Sequence, residues 1–272
     1  MKFPWDKENI KRISYPDGTT YVEVQEFVPH ITWRIKNYTD LWVLAQIKDV
    51  YDYHNKELSV TIPWLLEGQA DRRFSKDQSS GLKIVLNFIK GLNFKKVTIF
   101  HPHNAEVVEA YLPNVSILTN EIFIDKVLRY LDNEDLILMS TDAGGFKPLM
   151  KLVDTIGWKG ETFSASKSRK YENGKSILTQ QVDRKDFKGK DILLIDDICV
   201  KGGTFVGLAD MLRERNVGNI FLAVSHLTTL DFSPNLIHSF DEIFTTDSVR
   251  SVKDLGKQIR IASSLSCFEI FK

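Results

Sequence analysis

The sequence predicts an α/β protein with two domains, each a mostly parallel β-sheet flanked by helices. Strand-like and helix-like segments alternate along the chain, which is typical of that class. Short apolar runs such as Ile192–Ile195 indicate strands that are covered on both faces. The alternation breaks at Leu112–Asn114 and then starts again. We therefore expect an N-terminal domain over residues 1–118 and a C-terminal domain over residues 119–272.

In the first domain, apolar or β-branched runs predict strands, and apolar residues at helical spacing predict helices. The expected strands are Tyr21–Val24, Leu41–Ile47, Glu57–Ile62 and Lys96–Phe100. The expected helices are Gly81–Gly91, in which Ile84, Val85, Phe88 and Ile89 share a face, and Ala105–Tyr111.

The same two patterns recur in the second domain. The expected helices are Asn120–Leu131, Phe146–Ile156 and Phe205–Arg215. The expected strands are Leu136–Ser140, Glu161–Ala165, Ile192–Ile195 and Asn219–Val224. The polar stretch Ser166–Lys190 is predicted to be a mobile loop or a hairpin between two core strands.

Charge balance and cysteine content argue against several classes of protein. Basic and acidic residues number 36 each, so the chain has no excess positive charge for nucleic acid. Cys199 and Cys267 lack metal-ligand spacing, which favours a reducing compartment. The first residues lack the apolar core of a signal peptide, and no apolar run approaches the roughly 20 residues that span a bilayer. We expect a soluble, cytoplasmic protein with no nucleic-acid or membrane partner.

The segment Asp191–Thr204 carries the clearest chemical signal in the chain. An apolar run predicts a strand, and Asp196 and Asp197 follow at its expected end, where α/β sheets bind ligands. The run Gly202–Thr204 then opens the next expected helix, and a glycine-rich helix start favours anions. Paired carboxylates for hydroxyl groups or Mg²⁺, next to a phosphate-binding loop, suit a phosphorylated sugar. The alternative is a plain turn with two solvated aspartates.

Two further segments of the second domain carry related signals. The strand that ends at Ser140 is followed by Asp142 and then by glycines before a helix, which suggests a second ligand site or an N-capping aspartate. Lys167 and Arg169 lie just after the next expected strand. Cations at that position are suited to stabilise the charge of a transferring phosphoryl group. A solvated basic turn is the alternative.

Signals in the first domain are weaker. Asp71 and Arg72 follow one expected strand, and His101 and His103 follow another. Two histidines at a strand end are candidates for Mg²⁺ or phosphate contact, although histidine more often binds softer metals. Zinc is disfavoured because no cysteine or helical histidine pair accompanies them. The run Pro16–Gly18 by itself predicts only a turn.

Taken in order, these segments resemble the motifs of ribose-phosphate diphosphokinases, or phosphoribosyl-diphosphate synthetases. That family has an aromatic-x-Asp-Gly turn, a Pro-x-x-x-x-Arg-Gln-Asp-Arg segment, an Asp-Leu-His segment, a Ser-Pro-Asp-x-Gly-Gly strand end, a Lys-x-Arg loop and an Asp-Asp…Gly-Gly-Thr loop. The matching segments are Tyr15–Gly18, Asp71–Arg72, His101–His103, Ser140–Gly145, Lys167–Arg169 and Asp196–Thr204. The resemblance covers about residues 12–250 and is closer in the second half. Type I phosphoribosyltransferases match only the last motif.

The resemblance implies two phosphoribosyltransferase-like domains and an ATP-dependent diphosphokinase with Mg²⁺ as cofactor. ATP would bind the N-terminal domain and a neighbouring subunit's turn, so a homo-oligomer is expected. The ribose-phosphate substrate would bind the C-terminal domain, and AMP would leave. The residues so implied are Tyr15, Asp17, Gln69, Asp71, Arg72 and His103 for ATP; His103 and Asp142 for Mg²⁺; Lys167 and Arg169 for catalysis; and Asp196, Asp197, Lys201, Gly202, Gly203 and Thr204 for the sugar phosphate.

Departures from the family motifs bear on both substrates. The family's Arg-Gln pair is Gln69-Ala70 here, which puts the usual ATP contacts in question. The family's Asp-Thr-Gly-Gly-Thr loop is Val200-Lys201-Gly202-Gly203-Thr204, so an acid is lost and a cation gained. That change suits a more negative 5′ substituent than one phosphate.

The preferred acceptor on this ground is ADP-ribose. Divergent, phage-encoded relatives of the family convert it to ADP-ribose 1-diphosphate in NAD rebuilding. The alternative acceptor is ribose 5-phosphate, which would give phosphoribosyl diphosphate for nucleotide synthesis. Two functions without diphosphate transfer from ATP also fit the last motif, namely a phosphoribosyltransferase and a non-catalytic nucleotide-binding regulator.

Overall fold

A computed structural model describes residues 9–172, 175–228, 234–250 and 265–271, which divide into two compact units. Unit 1 holds the described residues of Met1–Thr119, Ser248–Arg250 and Ile270–Lys272, and unit 2 holds those of Asn120–Asp247 and Ser251–Glu269. The sequence places one boundary between residues 118 and 119. In the structure the chain also returns to unit 1 in two short C-terminal segments.

Unit 1 contains a parallel sheet whose strands follow one another in chain order. Its elements are β1 (Ile10–Ser14), β2 (Thr20–Val24), β3 (His30–Thr32), α1 (Tyr38–Tyr53), β4 (Ser59–Ile62), α2 (Gly81–Gly91), β5 (Lys96–Phe100), α3 (Ala105–Tyr111) and β6 (Val115–Leu118). Strands β1 and β2 form an antiparallel hairpin. Strands β3, β4, β5 and β6 form the parallel sheet in that order.

Unit 2 contains a larger parallel sheet and a hairpin. Its elements are α4 (Glu121–Leu131), β7 (Ile137–Ser140), α5 (Phe146–Ile156), β8 (Thr162–Ser164), β9 (Ser166–Glu172), β10 (Lys175–Gln181), β11 (Ile192–Cys199), α6 (Gly203–Arg213), β12 (Ile220–Leu227), α7 (Pro234–Ser239), β13 (Glu242–Thr246) and β14 (Leu265–Phe268). The sheet has the order β14-β13-β12-β11-β7-β8, and every described pairing in it is parallel. The predicted α/β fold with parallel sheets is confirmed.

Each unit has its own hydrophobic core around its sheet. In unit 2 all four residues of β7 are buried, as are the first four of β11. Burial of successive residues means that both faces of these strands are covered, as is usual in parallel sheets. The central strands are thereby fixed, and the polar residues at their ends are held at defined positions.

The prediction of a strand at Leu41–Ile47 is wrong, because this segment lies within helix α1. The side chain of Asn37 caps the helix by accepting a hydrogen bond from the N–H of Asp40. Leu41, Leu44 and Tyr51 are buried at helical spacing on one face. Apolar runs of this length fit both a strand and a buried helix, and packing decides between them.

The predicted helices α2, α3 and α5 begin and end in the structure where the sequence places them. The polar stretch after β8 forms the antiparallel hairpin of β9 and β10, so the predicted hairpin is confirmed. Within the described ranges, no helix is both long enough and apolar enough to cross a membrane.

Candidate active site

Asp196 and Asp197 lie on strand β11 itself, whereas the sequence places them after a strand that ends at Ile195. Strand β11 remains paired with β12 as far as Cys199, but its pairing with β7 ends at Ile195 and Ser140. The apolar run stops at the first acid while the backbone ladder to β12 continues. Both acids therefore lie where β11 extends beyond β7, at the carboxyl edge of the sheet, by which we mean the residues that follow β7, β8 and the apolar part of β11.

This extension lies at the point where the strand order of the sheet reverses. The chain runs outward from β7 to β8, then returns to the other side of β7 as β11 and continues outward to β12 and β13. In open α/β sheets the crevice at such a switch point is the usual place for a ligand. The topology thus independently favours the site that the motif predicts.

Both carboxylate oxygens of Asp196 accept hydrogen bonds within the protein. Oδ1 accepts from the N–H of Asp197 at 2.8 Å, and Oδ2 accepts from the hydroxyl of Thr141. Burial of the carboxylate, followed by the charge of Asp197, raises the pKa of Asp196 to about 7. A partly buried acid with a raised pKa beside a second acid is a common mark of a functional site.

The loop after β11 depends on Gly202. Gly202 has φ of +79°, and a Cβ there would lie 2.7 Å from Cδ1 of the buried Leu236. Helix α6 starts at the next residue, Gly203, and its N–H to C=O ladder starts with Val206 donating to Gly202 at 3.0 Å. The first N–H groups of a helix have no acceptor within the helix and favour an anion. Thr204 is half-buried in that first turn, and Lys201 is exposed just before it.

Asp142 organises the turn from β7 into α5. Its Oδ1 accepts from the N–H of Gly145 at 3.0 Å, and its carbonyl accepts from the hydroxyl groups of Ser140 at 3.0 Å and Ser164 at 3.3 Å. The N-cap of α5 is Gly145, and α5 has no side-chain capping bond, so Asp142 holds the turn before the helix and the N-capping alternative for Asp142 is wrong. Its part in binding Mg²⁺ stays a prediction.

Lys167 and Arg169 lie on strand β9, where they pair with Gln180 and Leu178 of β10. The hairpin follows β8 directly, and the N–H of Ala165 donates to the carbonyl of Ser140 at 3.1 Å. The backbone therefore enters the hairpin from the carboxyl edge of the sheet. The catalytic roles of the two cations stay predictions.

In unit 1, a hydrogen bond joins the predicted ATP residue Asp71 to Asn104, the residue directly after His103. Asn104 Nδ2 donates to Asp71 Oδ2 at 2.8 Å, and Asn104 Oδ1 caps α3 by accepting from the N–H of Val107 at 3.1 Å. Asp71 follows β4, and Asn104 follows the neighbouring strand β5. The loop after β4 is thereby held against the loop after β5.

The other predicted ATP residues of these loops are more exposed. Arg72 places its Nε 3.7 Å from Asp71 Oδ2, and its side chain is 78% exposed. Gln69 and His103 are exposed, and His101 is half-buried with φ of +38°. Among the described residues, no group of three or more His, Cys, Asp or Glu side chains is arranged to hold a metal ion.

Tyr15 and Asp17 lie in the turn of the β1–β2 hairpin. The side chain of Asp17 accepts from both the N–H and the hydroxyl of Thr19, and these bonds lower the pKa of Asp17. Gly18 has φ of +88°, which closes the turn. The ring of Tyr15 lies 6.0 Å from that of Tyr21, and both rings are partly exposed.

The structure brings some predicted residues together and separates others between the units. Asp142, Asp196, Asp197 and the loop to Thr204 share the carboxyl edge in unit 2, whereas the predicted ATP residues belong to unit 1. The two predicted Mg²⁺ ligands, His103 and Asp142, belong to different units. Sequence reasoning missed Thr141 and Asn104, although a polar residue directly after a buried strand and an asparagine directly before a helix are both readable signals.

Comparison with known proteins shows a similarity first to one domain family and then to named enzymes. The family described as "Phosphoribosyl transferase domain" matches residues 108–231. Over most of its length the chain is similar to enzymes named ribose-phosphate pyrophosphokinase. The one from Thermoplasma volcanium is 25% identical over 244 residues, with 87% of this chain and 82% of the relative covered. The one from Pyrococcus abyssi is 23% identical over 225 residues, with 80% and 76% covered.

A solved structure shares the fold over nearly the whole chain. The phosphoribosylpyrophosphate synthetase from Mycobacterium smegmatis superposes with a TM-score of 0.77 at 16% identity, covering 96% of this chain and 86% of that one. This likeness establishes the fold. The named relatives support the predicted resemblance to ribose-phosphate diphosphokinases and the predicted enzyme class.

Proposed function

We propose that this chain is an ATP-dependent diphosphotransferase that forms phosphoribosyl diphosphate from ribose 5-phosphate and releases AMP. The main observation behind this proposal is that the Asp196–Thr204 segment lies where the strand order of the sheet reverses. The chain is also similar over most of its length to enzymes named ribose-phosphate pyrophosphokinase. Those relatives support ribose 5-phosphate as the first candidate acceptor, ahead of the ADP-ribose preferred from the sequence alone.

Each predicted residue has a place in this reaction. The anomeric hydroxyl oxygen of the sugar attacks the β-phosphorus of ATP, the bond from that phosphorus to the oxygen bridging to the α-phosphorus breaks, and AMP leaves while the hydroxyl proton passes to solvent. The start of α6, with Lys201 and the run Gly202–Thr204, holds the 5′ phosphate. Asp196 and Asp197 accept hydrogen bonds from the ribose hydroxyls. Lys167 and Arg169 stabilise the charge on the transferring diphosphate.

ATP is bound in unit 1 under this proposal, by Tyr15, Asp17, Gln69, Asp71, Arg72 and His103. We expect a homo-oligomer, because the turn with Tyr15 and Asp17 would serve a neighbouring subunit's site. An active monomer in dilute solution, measured by sedimentation alongside turnover, would contradict the shared site.

Mg²⁺ is the proposed cofactor. It prefers carboxylate oxygens, keeps several waters and usually takes one or two protein carboxylates together with substrate phosphates. The acids of the carboxyl edge, Asp142, Asp196 and Asp197, supply such oxygens, so the residues present fit this ion without a three-ligand cluster among the described residues. The exposed His103 is the second predicted ligand. When bound, Mg²⁺ would neutralise part of the diphosphate charge.

The experiment is to measure AMP release from ATP with Mg²⁺ and ribose 5-phosphate. A diphosphotransferase releases AMP only when all three are present. A phosphoribosyltransferase would instead consume phosphoribosyl diphosphate and release diphosphate without ATP. A non-catalytic regulator would bind nucleotide and release neither product, and either result would overturn the proposal.

ADP-ribose is the second candidate acceptor, favoured by the loop that leads into α6. Val200 and Lys201 stand where the family motif has an acid and a threonine, and both are exposed in this structure. Lysine is a compact charge suited to a second phosphate. The two acceptors are compared by kcat/KM for AMP release, and Lys201→Thr should reduce any preference for ADP-ribose. Use of ribose 5-phosphate alone would exclude ADP-ribose and leave the diphosphotransferase proposal intact.

A further inference from the structure

In each unit, a neutral side chain donates a hydrogen bond to an acid of the predicted binding segments. The hydroxyl of Thr141 donates to Asp196 in unit 2, and Asn104 Nδ2 donates to Asp71 in unit 1. In both cases the donor follows one strand of a parallel sheet, and the acid lies on or after its immediate neighbour. The same arrangement therefore occurs once in the sugar-phosphate segment and once in the ATP segment.

We propose that Thr141 and Asn104 are positioning residues, Thr141 for the phosphosugar acceptor through Asp196 and Asn104 for ATP through Asp71. The inference rests on the proposed function and goes beyond it. Asn104 lies outside the motifs that suggested that function, and Thr141 stands inside the Ser140–Gly145 segment at the position where the family motif has proline. Neither residue is proposed to touch the reacting atoms.

Thr141 acts where the backbone ladder no longer holds β11. Pairing between β7 and β11 ends at Ser140 and Ile195, and Thr141 is the next residue after that end. Thr141 is 3% exposed, so bulk water does not compete with Asp196 for the hydrogen bond from its hydroxyl group. With Oδ1 of Asp196 bound to the N–H of Asp197 and Oδ2 bound to Thr141, the plane of the carboxylate is fixed. A fixed acceptor binds a hydroxyl group with less loss of rotamer freedom.

Asn104 connects a helix to a loop. Its Oδ1 is held by the capping bond from Val107, so its Nδ2 has a defined direction towards Asp71. The side chain of Asp71 is only 9% exposed, so the bond also satisfies a largely buried carboxylate. The segment after β4 is thereby tied to the start of α3.

The test is a pair of substitutions with separate effects on the two substrates. Thr141→Val keeps the shape and removes the hydroxyl, and should raise the KM for the acceptor about tenfold while the KM for ATP and kcat stay unchanged. Thr141→Ser keeps the hydroxyl and should restore the acceptor KM. Asn104→Ser keeps an oxygen that can cap α3 but lacks the amide donor. It should raise the KM for ATP alone, again about tenfold.

Matched controls make the same chemical changes elsewhere. Thr155→Val removes an exposed hydroxyl that donates to the carbonyl of Lys151 at 2.9 Å. Asn133→Ser removes an amide that donates to Asp191 Oδ2 at 2.9 Å, while Asn133 Oδ1 accepts from the N–H of Asp135 at 2.9 Å, so it has the same double role as Asn104. Both controls should leave both KM values unchanged.

Failure of this inference can be told apart from failure of the proposed function. If the wild-type protein releases AMP but Thr141→Val has the wild-type acceptor KM, raises both KM values equally, or lowers kcat alone, the positioning role of Thr141 is wrong. If the wild-type protein releases no AMP with ribose 5-phosphate or ADP-ribose, the proposed function is wrong. Calorimetric titration then applies the same test to binding of ATP and of each sugar phosphate, and unchanged dissociation constants in both variants would overturn the inference.

Discussion

Acids at the two edges of the unit 2 sheet are placed in contrasting surroundings. The amino edge comprises the residues that precede β7, β8 and β11. There Glu161 accepts hydrogen bonds from Lys190 at 2.7 Å and from Arg184, and these bonds lower the pKa of Glu161. At the carboxyl edge, burial and the neighbouring Asp197 raise the pKa of Asp196. The amino edge thus gains stability from its acids, while the carboxyl edge holds an acid at a cost in stability, as binding sites often do.

The largest expected effect is on kcat, and it should distinguish the two cations of the β9–β10 hairpin from a cation of the amino edge. Lys167→Ala and Arg169→Ala should each lower kcat by about 10²–10³, which corresponds to ~3–4 kcal/mol of transition-state stabilisation. The KM values should change far less. Arg184→Ala, which removes an ion pair to Glu161, should leave kcat unchanged and reduce the free energy of unfolding instead. Wild-type turnover in both hairpin variants, measured as AMP release, would contradict their catalytic role.

Neutralising one acid at the amino edge should lower stability, whereas neutralising one at the carboxyl edge should not. Asp196→Asn removes repulsion with Asp197, so it should not lower the melting temperature near pH 8, but it should raise the acceptor KM by roughly tenfold or more. Asp191 accepts from the N–H of Asn219 at 2.7 Å and from Asn133 at 2.9 Å. Asp191→Asn should therefore lower the melting temperature without changing the acceptor KM. Thermal unfolding and steady-state kinetics measure both, and equal destabilisation by the two changes would refute the contrast.

Glycines at the two edges give a smaller test of the same contrast. Gly202 and Gly189 both have positive φ, +79° and +74°, but a Cβ on Gly202 would meet Leu236 whereas one on Gly189 would meet nothing within 4 Å. Gly189→Ala should cost about 1 kcal/mol of unfolding free energy from backbone strain alone. Gly202→Ala should cost about 1–3 kcal/mol more and should also raise the acceptor KM. Denaturant titration of the two variants measures both losses of unfolding free energy. Equal losses would mean that the Leu236 side chain moves aside without a measurable cost.

The last test of the comparison concerns pH. The pKa of Asp196 is raised to about 7 in the folded state, from about 3.9 in an unfolded chain, so the folded state binds more protons between these values. The free energy of unfolding should therefore fall as pH rises from about 4 to about 7, by at most about 1.4 kcal/mol per pH unit. Asp196→Asn should remove that decline.

The amino edge should respond to pH in the opposite sense. The pKa of Glu161 is lowered from 4.5, so its contribution to stability is present above that pH and is lost as pH falls through the folded value. Urea titrations of the wild-type protein, Asp196→Asn and Glu161→Gln, carried out without Mg²⁺ at pH 3 to 8, separate the two contributions. A decline above pH 4 that persists in Asp196→Asn would show that another group causes it.

Local sequence pattern is sufficient for those elements whose packing agrees with their local preference. Helices α2, α3 and α5 are predictable with their bounds because their apolar residues recur at helical spacing. The structure of segment Leu41–Ile47 is not predictable in this way. A run of apolar residues fits a strand and a buried helix equally well, and packing against neighbouring elements determines which one forms. Strands β1, β3, β6, β13 and β14 escape prediction, since short strands are fixed by pairing with sheet neighbours that local pattern does not reveal.

The residues of the candidate site likewise fall into those that local sequence predicts and those that it does not. Asp196, Asp197 and the loop to Thr204 carry charge and glycine, which make a local signal. Thr141 and Asn104 are neutral residues of common types, and their importance comes from the strand that lies beside them. The pattern underestimates the length of β11 for the same reason, because the ladder to β12 is a contact between distant parts of the chain.

The return of the chain to unit 1 has a consequence for how this protein can be divided or recombined. Phe271 is 3% exposed, and its ring packs edge-on to that of Phe100, 5.1 Å away, at the end of β5. A residue about 170 positions further along the chain thus adds to the hydrophobic packing at the end of β5, next to the predicted ATP residues that follow this strand. A fragment that stops at Thr119 would lack this packing. Chimeras that exchange the two units with a relative would need to keep Phe271 together with unit 1.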